Sequence, residues 1–307
     1  MESTLRAVAA SQHGTLSWAQ VRRAGISPGE LGRYVARGEV VRVRRGAYVM
    51  GDIWRAADAD RRYALTTRAV LLSRPGDAAS HHAAFALSGL PLWGLDVSRV
   101  DVQANVTRRR APSGLRLHPW DPRARRELVA GARSLTIAEA APLVAATGSV
   151  DGAVVALDAA VRQRLCTVEQ VTEVVARLGE SATVGIARAR RLADLIDPTS
   201  ESPGESRLRL LLAVTGLAVR TQVHIYAPNG RLVGRVDFLV DDGVIVEFDG
   251  RVKYGNAAAL WDEKRREDAL RSLGYEMVRV VWADLDHPER IASLIRAARA
   301  RAARRGR

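Results

Sequence analysis

The stretch Gly234-Arg-Val-Asp-Phe-Leu-Val-Asp-Asp-Gly-Val-Ile-Val-Glu-Phe-Asp-Gly-Arg-Val-Lys-Tyr254 decides how the last third of the 307-residue chain folds. Apolar runs at 236–240 and 244–248 flank Asp241-Asp242-Gly243, the composition of a hairpin with a tight turn. With those three residues as the loop, Val240 pairs with Val244, and Asp237 falls opposite Glu247. Directly opposed side chains stand roughly 4.5–5.5 Å apart, and like charges placed there repel. A cation between them removes the repulsion, and hard Mg²⁺ or Mn²⁺ ions take carboxylate oxygens. Asp249 shares a strand face with Glu247 through the two-residue period, and Lys253 follows. The chain has two lysines, Lys253 and Lys264, so one of the two lies beside the acids. The competing reading is a surface hairpin whose acids pair with arginine; in this register Arg235 faces Asp249.

Working outward, Pro203-Gly204-Glu205-Ser206 opens a helix that carries Leu208, Leu210, Leu211 and Leu212. Downstream, Glu263-Lys-Arg-Arg-Glu267-Asp268 precedes Leu273-Gly-Tyr275 and a strand at 277–282. An acid on one strand, a second on its neighbour and a basic residue close by resemble the PD-(D/E)XK nuclease superfamily. Asp237-Phe238, a hydrophobic strand and Glu247-Phe248-Asp249-Gly250 resemble its branch of very-short-patch-repair endonucleases. The resemblance spans residues 200–288. It implies a C-terminal α/β/α restriction-endonuclease-like domain with a central mixed sheet. It also implies a metal set of Glu205, Asp237 and Glu247 holding Mg²⁺ or Mn²⁺, and a catalytic set of Asp237, Glu247, Asp249 and Lys253. The simple motif has lysine two residues after the second acid, where this chain has Asp249. Either Lys253 serves from a displaced position or the site is inactive.

The first fifty residues read as a unit of their own. A helix at 5–12 closes at Gly14, Ser17 caps a second at 18–24, and Ser27-Pro28 starts a third that runs to Arg37. Val40-Val41-Arg42-Val43 and Ala47-Tyr48-Val49 then alternate around Arg44-Arg45-Gly46 as a hairpin. Three helices and a basic hairpin are the order of a winged helix-turn-helix. Arg33, Arg37, Arg42, Arg44 and Arg45 crowd its third helix and wing, where DNA is contacted. The segment from Gly14 to Val49 resembles the N-terminal domain of AbiEi antitoxins of type IV toxin–antitoxin systems. That resemblance implies a cognate toxin as a partner.

Between these regions the sequence indicates helices at 59–73 and from Ser80, short strands at 100–104 and 115–118, and helical patterns over 135–195. Asp197-Pro-Thr-Ser-Glu-Ser-Pro-Gly204 has the composition of a linker. The six histidines show no metal-ligand spacing, and the adjacent His81 and His82 read as a cap or a core pair. Lone Cys166 excludes internal disulfides. A net charge of +13 and a pI near 11.0 favour nucleic acid as a partner. No apolar run reaches the length of a membrane span.

The expectation is thus an α+β multi-domain chain: a winged helix over 1–50, a mixed α/β, mostly helical middle region over 51–198, the nuclease-like domain over 199–288, and a basic C-terminal helix or tail over 289–307. In that last stretch Ile291, Leu294 and Ile295 can dock one helical turn before an Ala/Arg tail from Arg296. It is expected to be a cytoplasmic, bacterial protein. Two functions stand: a DNA-binding, Mg²⁺-dependent endonuclease, or an antitoxin-like transcriptional regulator whose nuclease-like domain is degenerate.

Overall fold

Ser17 and Ser27 start their helices as the sequence indicates. Each accepts a hydrogen bond from the N–H three residues on, and Gln20 and Glu30 complete capping boxes for Trp18–Arg23 and Pro28–Ala36. The computed structural model describes residues 2–181, 183–250 and 257–305. Their contacts divide the chain into two units, Met1–Ile196 and Asp197–Arg307.

In the first unit, helix Glu2–Ala10 precedes the two capped helices, and strands Val40–Arg44 and Ala47–Met50 form the expected hairpin. Gly46, at φ +78°, supplies the left-handed turn residue. A third strand, Thr15–Ser17, pairs with Ala47–Met50 and makes a three-stranded sheet. Three residues are too few for alternation to register in the sequence. Leu5, Leu16, Val21, Ile26, Leu31 and Tyr48 share a core. Helix Ala59–Ser73 packs against the strands of this sheet. Residues 1–50 therefore share one compact unit with the middle region, where the sequence set them apart as a separate domain.

The rest of this unit surrounds a five-stranded mixed sheet. Its order is Leu115–Pro119, Val100–Ala104, Ala78–Ala79, Ala132–Leu135 and Arg126–Val129. The hairpin Arg126–Leu135 is additional to the expected strands, and Leu135, read as the start of a helical stretch, ends a strand. Val100–Ala104 is buried at every position, so Asp101 and Gln103 are carried into the interior.

The second unit runs helix Pro203–Ala213, three antiparallel strands (Val219–Tyr226, Leu232–Val240, Val244–Asp249), helix Ala257–Ser272, strand Glu276–Val281 and helix Pro288–Arg305. The last strand lies parallel to Val244–Asp249 and forms the sheet edge. Phe238, Val240, Val244 and Val246 pack with Leu208, Leu212, Ile291 and Ile295. Leu239, Ile245 and Met277 pack instead with Leu270. Helices therefore cover both faces of a mixed sheet. The turn matches its reading, with Val240 opposite Val244 and Asp241 and Asp242 at φ +47° and +57°.

Three features depart from the sequence reading. Alternation breaks in the middle of two strands: Val236 shares a core with Leu239, while Val219 and Val223 belong to opposite cores. The break falls where Asp237 passes Gln222, which sits at φ +49°. Second, the expected linker is folded into this unit. Asp197 accepts hydrogen bonds from the hydroxyls of Thr199 (2.6 Å) and Thr221 (3.0 Å), and Ser200 is buried. Third, the last helix runs and docks past the single turn expected at Ile291 to Ile295: Ala298 is fully buried, and Arg301 bonds Glu276 at 2.8 Å. Alanine carries too weak a hydrophobic signal to mark that docking face.

Candidate nucleic-acid interface and carboxylate cluster

The five arginines expected at DNA are not equivalent in the structure. Arg33 stands exposed on helix Pro28–Ala36, and Arg42 and Arg45 are exposed on and beside the hairpin. Arg37 is engaged by Glu39 and lies 5.1 Å from the Tyr34 ring. Arg44 donates to the carbonyl of Ser113, and burial, with Arg74 nearby, lowers its pKa. A groove of about 880 Å³ runs past Trp18, Gly32, Val35, Arg42 and Arg45. Arg33, Arg42 and Arg45 are thus exposed, Arg37 is exposed but tied to Glu39, and Arg44 fastens the hairpin to the middle region. That fastening involves a carbonyl sixty-nine residues away, which local sequence cannot reveal.

The acids of the second unit sit close in charge but not in ligand geometry. Glu205 closes the N-terminus of its helix: Ser202 Oγ donates to its Oε1 at 2.8 Å, and the Glu201 N–H donates to Oε2 at 2.9 Å. Gln222 Nε2 reaches the same Oε2 at 3.1 Å. Glu247 is gripped by Arg266 NH2 at 2.9 and 3.1 Å. Regular pairing of the two central strands ends at Phe238 and Val246, and one step on, Asp237 Oδ2 accepts the Phe248 N–H at 2.9 Å. Burial pushes the Asp237 pKa up to about 6; the Phe248 bond opposes the rise, and Glu205, Glu247 and Glu201 add to it. Asp249 ends its strand beside Val281, and Lys253 lies outside the described residues. Arg235, expected opposite Asp249, pairs with Glu201 at 2.6 Å.

Among the described residues, three potential metal donors lie within 4.8 Å of one another at one place, and it is not here. Glu205, Asp237 and Glu247 are each drawn to a partner of their own. The place is His81, Asp101 and His118, in the middle of the first unit. The histidines show no metal-ligand spacing along the sequence, yet two of them meet Asp101 in space. It comes from one helix and two strands, so sequence spacing carries no trace of it. An aspartate between two valines in the short strand Val100–Ala104 is the signal that was available.

Residues 3–51 match the family described as "Transcriptional regulator, AbiEi antitoxin". The chain is 30% identical over 145 residues to two relatives from Mycobacterium tuberculosis, "Uncharacterized protein MT2308" (strain CDC 1551 / Oshkosh) and "Uncharacterized protein Rv2248" (strain H37Rv). The match takes in 47% of this chain and 53% of each relative, so the chain spans about half the length of the curated relatives it matches. The crystal structure of the RV2827C protein from Mycobacterium tuberculosis is similar at 14% identity and a TM-score of 0.37, over 73% of this chain and 87% of that one. No described helix is long and apolar enough to cross a membrane.

Proposed function

We propose that this chain is a cytoplasmic, bacterial, antitoxin-like transcriptional regulator that binds DNA near its own coding sequence. The observation that carries the reading is that the antitoxin-family match, residues 3–51, covers the module bearing the exposed Arg33, Arg42 and Arg45. Its order of helix, strand, two helices and two strands is that of a winged helix. Helix Pro28–Ala36 enters the major groove, and the hairpin arginines meet phosphate. The second unit, a helix, three antiparallel strands, a helix and a parallel strand, supports a PD-(D/E)XK-like assignment. With Glu205 capping a helix, Glu247 gripped by Arg266, and Asp249 where the motif has lysine, it serves as a platform for DNA or a cognate toxin.

Full-length protein binding duplex DNA should lose affinity steeply with salt. Replacing Arg42 and Arg45 by alanine should reduce the slope of log K against log salt by roughly 0.9 per lost phosphate contact. Arg44→Ala should leave the slope unchanged, because its guanidinium is engaged by Ser113. An unchanged slope in the double variant removes the hairpin from the interface.

A second reading is favoured by Asp237, whose pKa is raised first by burial and further by Glu205, Glu247 and Glu201 beside it. In it, the second unit hydrolyses phosphodiesters. The oxygen donors of Glu205, Asp237 and Glu247 are of the type that holds Mg²⁺ or Mn²⁺, although Glu205 and Glu247 would first leave their present partners. Such an ion, when bound, supplies an activated water; Lys253 would stabilise charge on the phosphate, and Asp249 would assist the ligands. Mg²⁺-dependent nicking of plasmid that vanishes in Asp237→Asn would establish this reading; intact plasmid would leave the regulator.

A further inference from the structure

The middle of the first unit gathers side chains that DNA binding does not use. His81 opens helix His81–Leu87, Asp101 lies in Val100–Ala104, and His118 lies in the neighbouring parallel strand Leu115–Pro119. His118 Nε2 is 2.7 Å from Asp101 Oδ1, and the rings of His81 and His118 stack with centroids 4.0 Å apart. His81 and Asp101 are 5% and 2% exposed. A cavity of about 340 Å³ opens onto them, lined also by His82, Arg109, Arg116 and Ser149.

Further contacts prepare these groups as donors. Arg116 NH1 holds the other Asp101 oxygen at 3.1 Å, and Ser80 Oγ meets His81 Nδ1 at 3.2 Å. Outer contacts of this kind orient metal-binding carboxylates and imidazoles. The His81 backbone sits at φ +50°, a left-handed conformation seldom taken by non-glycine residues and concentrated at ligand sites. The plainer alternative is a packed polar network, with Asp101 neutralised by Arg116 and His82 stacked on Tyr63 at 5.4 Å. That network accounts for His82. It leaves unexplained why His81, Asp101 and His118 converge where the first two line an open cavity.

We propose that His81, Asp101 and His118 bind one divalent transition metal of the zinc type, with a remaining coordination position open to the cavity. Zinc takes imidazole nitrogen and carboxylate oxygen at about 2.0–2.2 Å, which sets tetrahedral donors about 3.3 Å apart. The pair now at 2.7 Å therefore opens by about half an ångström, and the three donors, now within 4.8 Å of one another, come to about that common spacing. Imidazole donors select this class over Mg²⁺, so the site is chemically distinct from the carboxylates around Asp237. Arg109 and Arg116 line the open side. The free position accordingly suits water or an anionic oxygen.

The test uses tag-free, full-length protein stripped of metal and titrated with Co²⁺, followed by its visible absorption, then with Zn²⁺ in competition. One equivalent should bind. His118→Gln and Asp101→Asn should each weaken binding more than about 100-fold, since loss of an outer contact alone costs 10–100-fold. His224→Gln and Asp237→Asn should bind as the parent does. X-ray absorption of the zinc-loaded parent should read two imidazoles and oxygen ligands, a result independent of whether any variant folds. Binding well below one equivalent, a Co²⁺ spectrum that survives His118→Gln in a folded chain, or zinc surrounded by no imidazole would overturn the proposal.

Discussion

Asp237→Asn should stabilise the second unit at neutral pH, because the native structure holds this carboxyl in surroundings that resist its ionisation. Its pKa is about 6, against 3.8 for an unperturbed aspartate. A rise of about two units corresponds to about 3 kcal/mol at 1.36 kcal/mol per unit, and solvent at this half-buried group reduces that to about 1–2 kcal/mol. Proton binding sets the sign. Between the unfolded and folded pKa values the native state binds more protons than the unfolded chain, so stability falls as pH rises through this window and stays reduced above it. Asparagine carries no charge at any pH, and its amide oxygen can still accept the Phe248 N–H. The variant should therefore exceed the parent by about 1–2 kcal/mol near pH 7.5, with the advantage shrinking towards pH 4. Native-state hydrogen exchange of strands Val244–Asp249 and Glu276–Val281, in the full-length chain, reads this opening free energy. A variant less stable than the parent near pH 7.5, or an advantage that does not change with pH, would refute the reasoning.

The packing sets further expectations. A Cβ on Gly204 would lie 2.0 Å from Phe248 Cε1, so Gly204→Ala should destabilise the second unit by about 1–3 kcal/mol in urea unfolding. Ala298→Asp places a charge in a fully buried position and should lower Tm by several degrees; an unchanged Tm would mean that the last helix is not docked. Arg266→Ala removes the partner of Glu247 and leaves more uncompensated charge beside Asp237, so the Asp237 pKa, read by NMR titration, should rise further.

The parts legible in the sequence were those written in local patterns. The serine caps of two helices, the basic hairpin and the register around Asp241-Asp242-Gly243 all depend on residues within a few positions of one another. What the sequence hid depends on distant partners or weak signals. Strand Thr15–Ser17 is three residues long, and the last helix continues its docking past Ile295 through Ala298. The stretch 197–204 reads as a linker because Ser, Pro and Gly are turn formers, yet Thr221, from a strand beyond the next helix, ties it down. At the candidate sites, strand period brought Asp237 and Glu247 together on paper. It could not show Arg266 arriving from another helix to take Glu247, nor Gln222 turning to Glu205. His81, Asp101 and His118 were invisible for the same reason.

The central claim, a sequence-specific DNA-binding regulator, is tested most directly by fluorescence anisotropy of the full-length protein on the duplex upstream of its own coding sequence. A scrambled duplex of equal length serves as the competitor, at physiological salt with Mg²⁺ present. Binding to the upstream duplex should be at least about 10³-fold tighter than to the scrambled one, with both duplexes recovered intact. Equal affinity for the two, or cleavage of either, would contradict the claim.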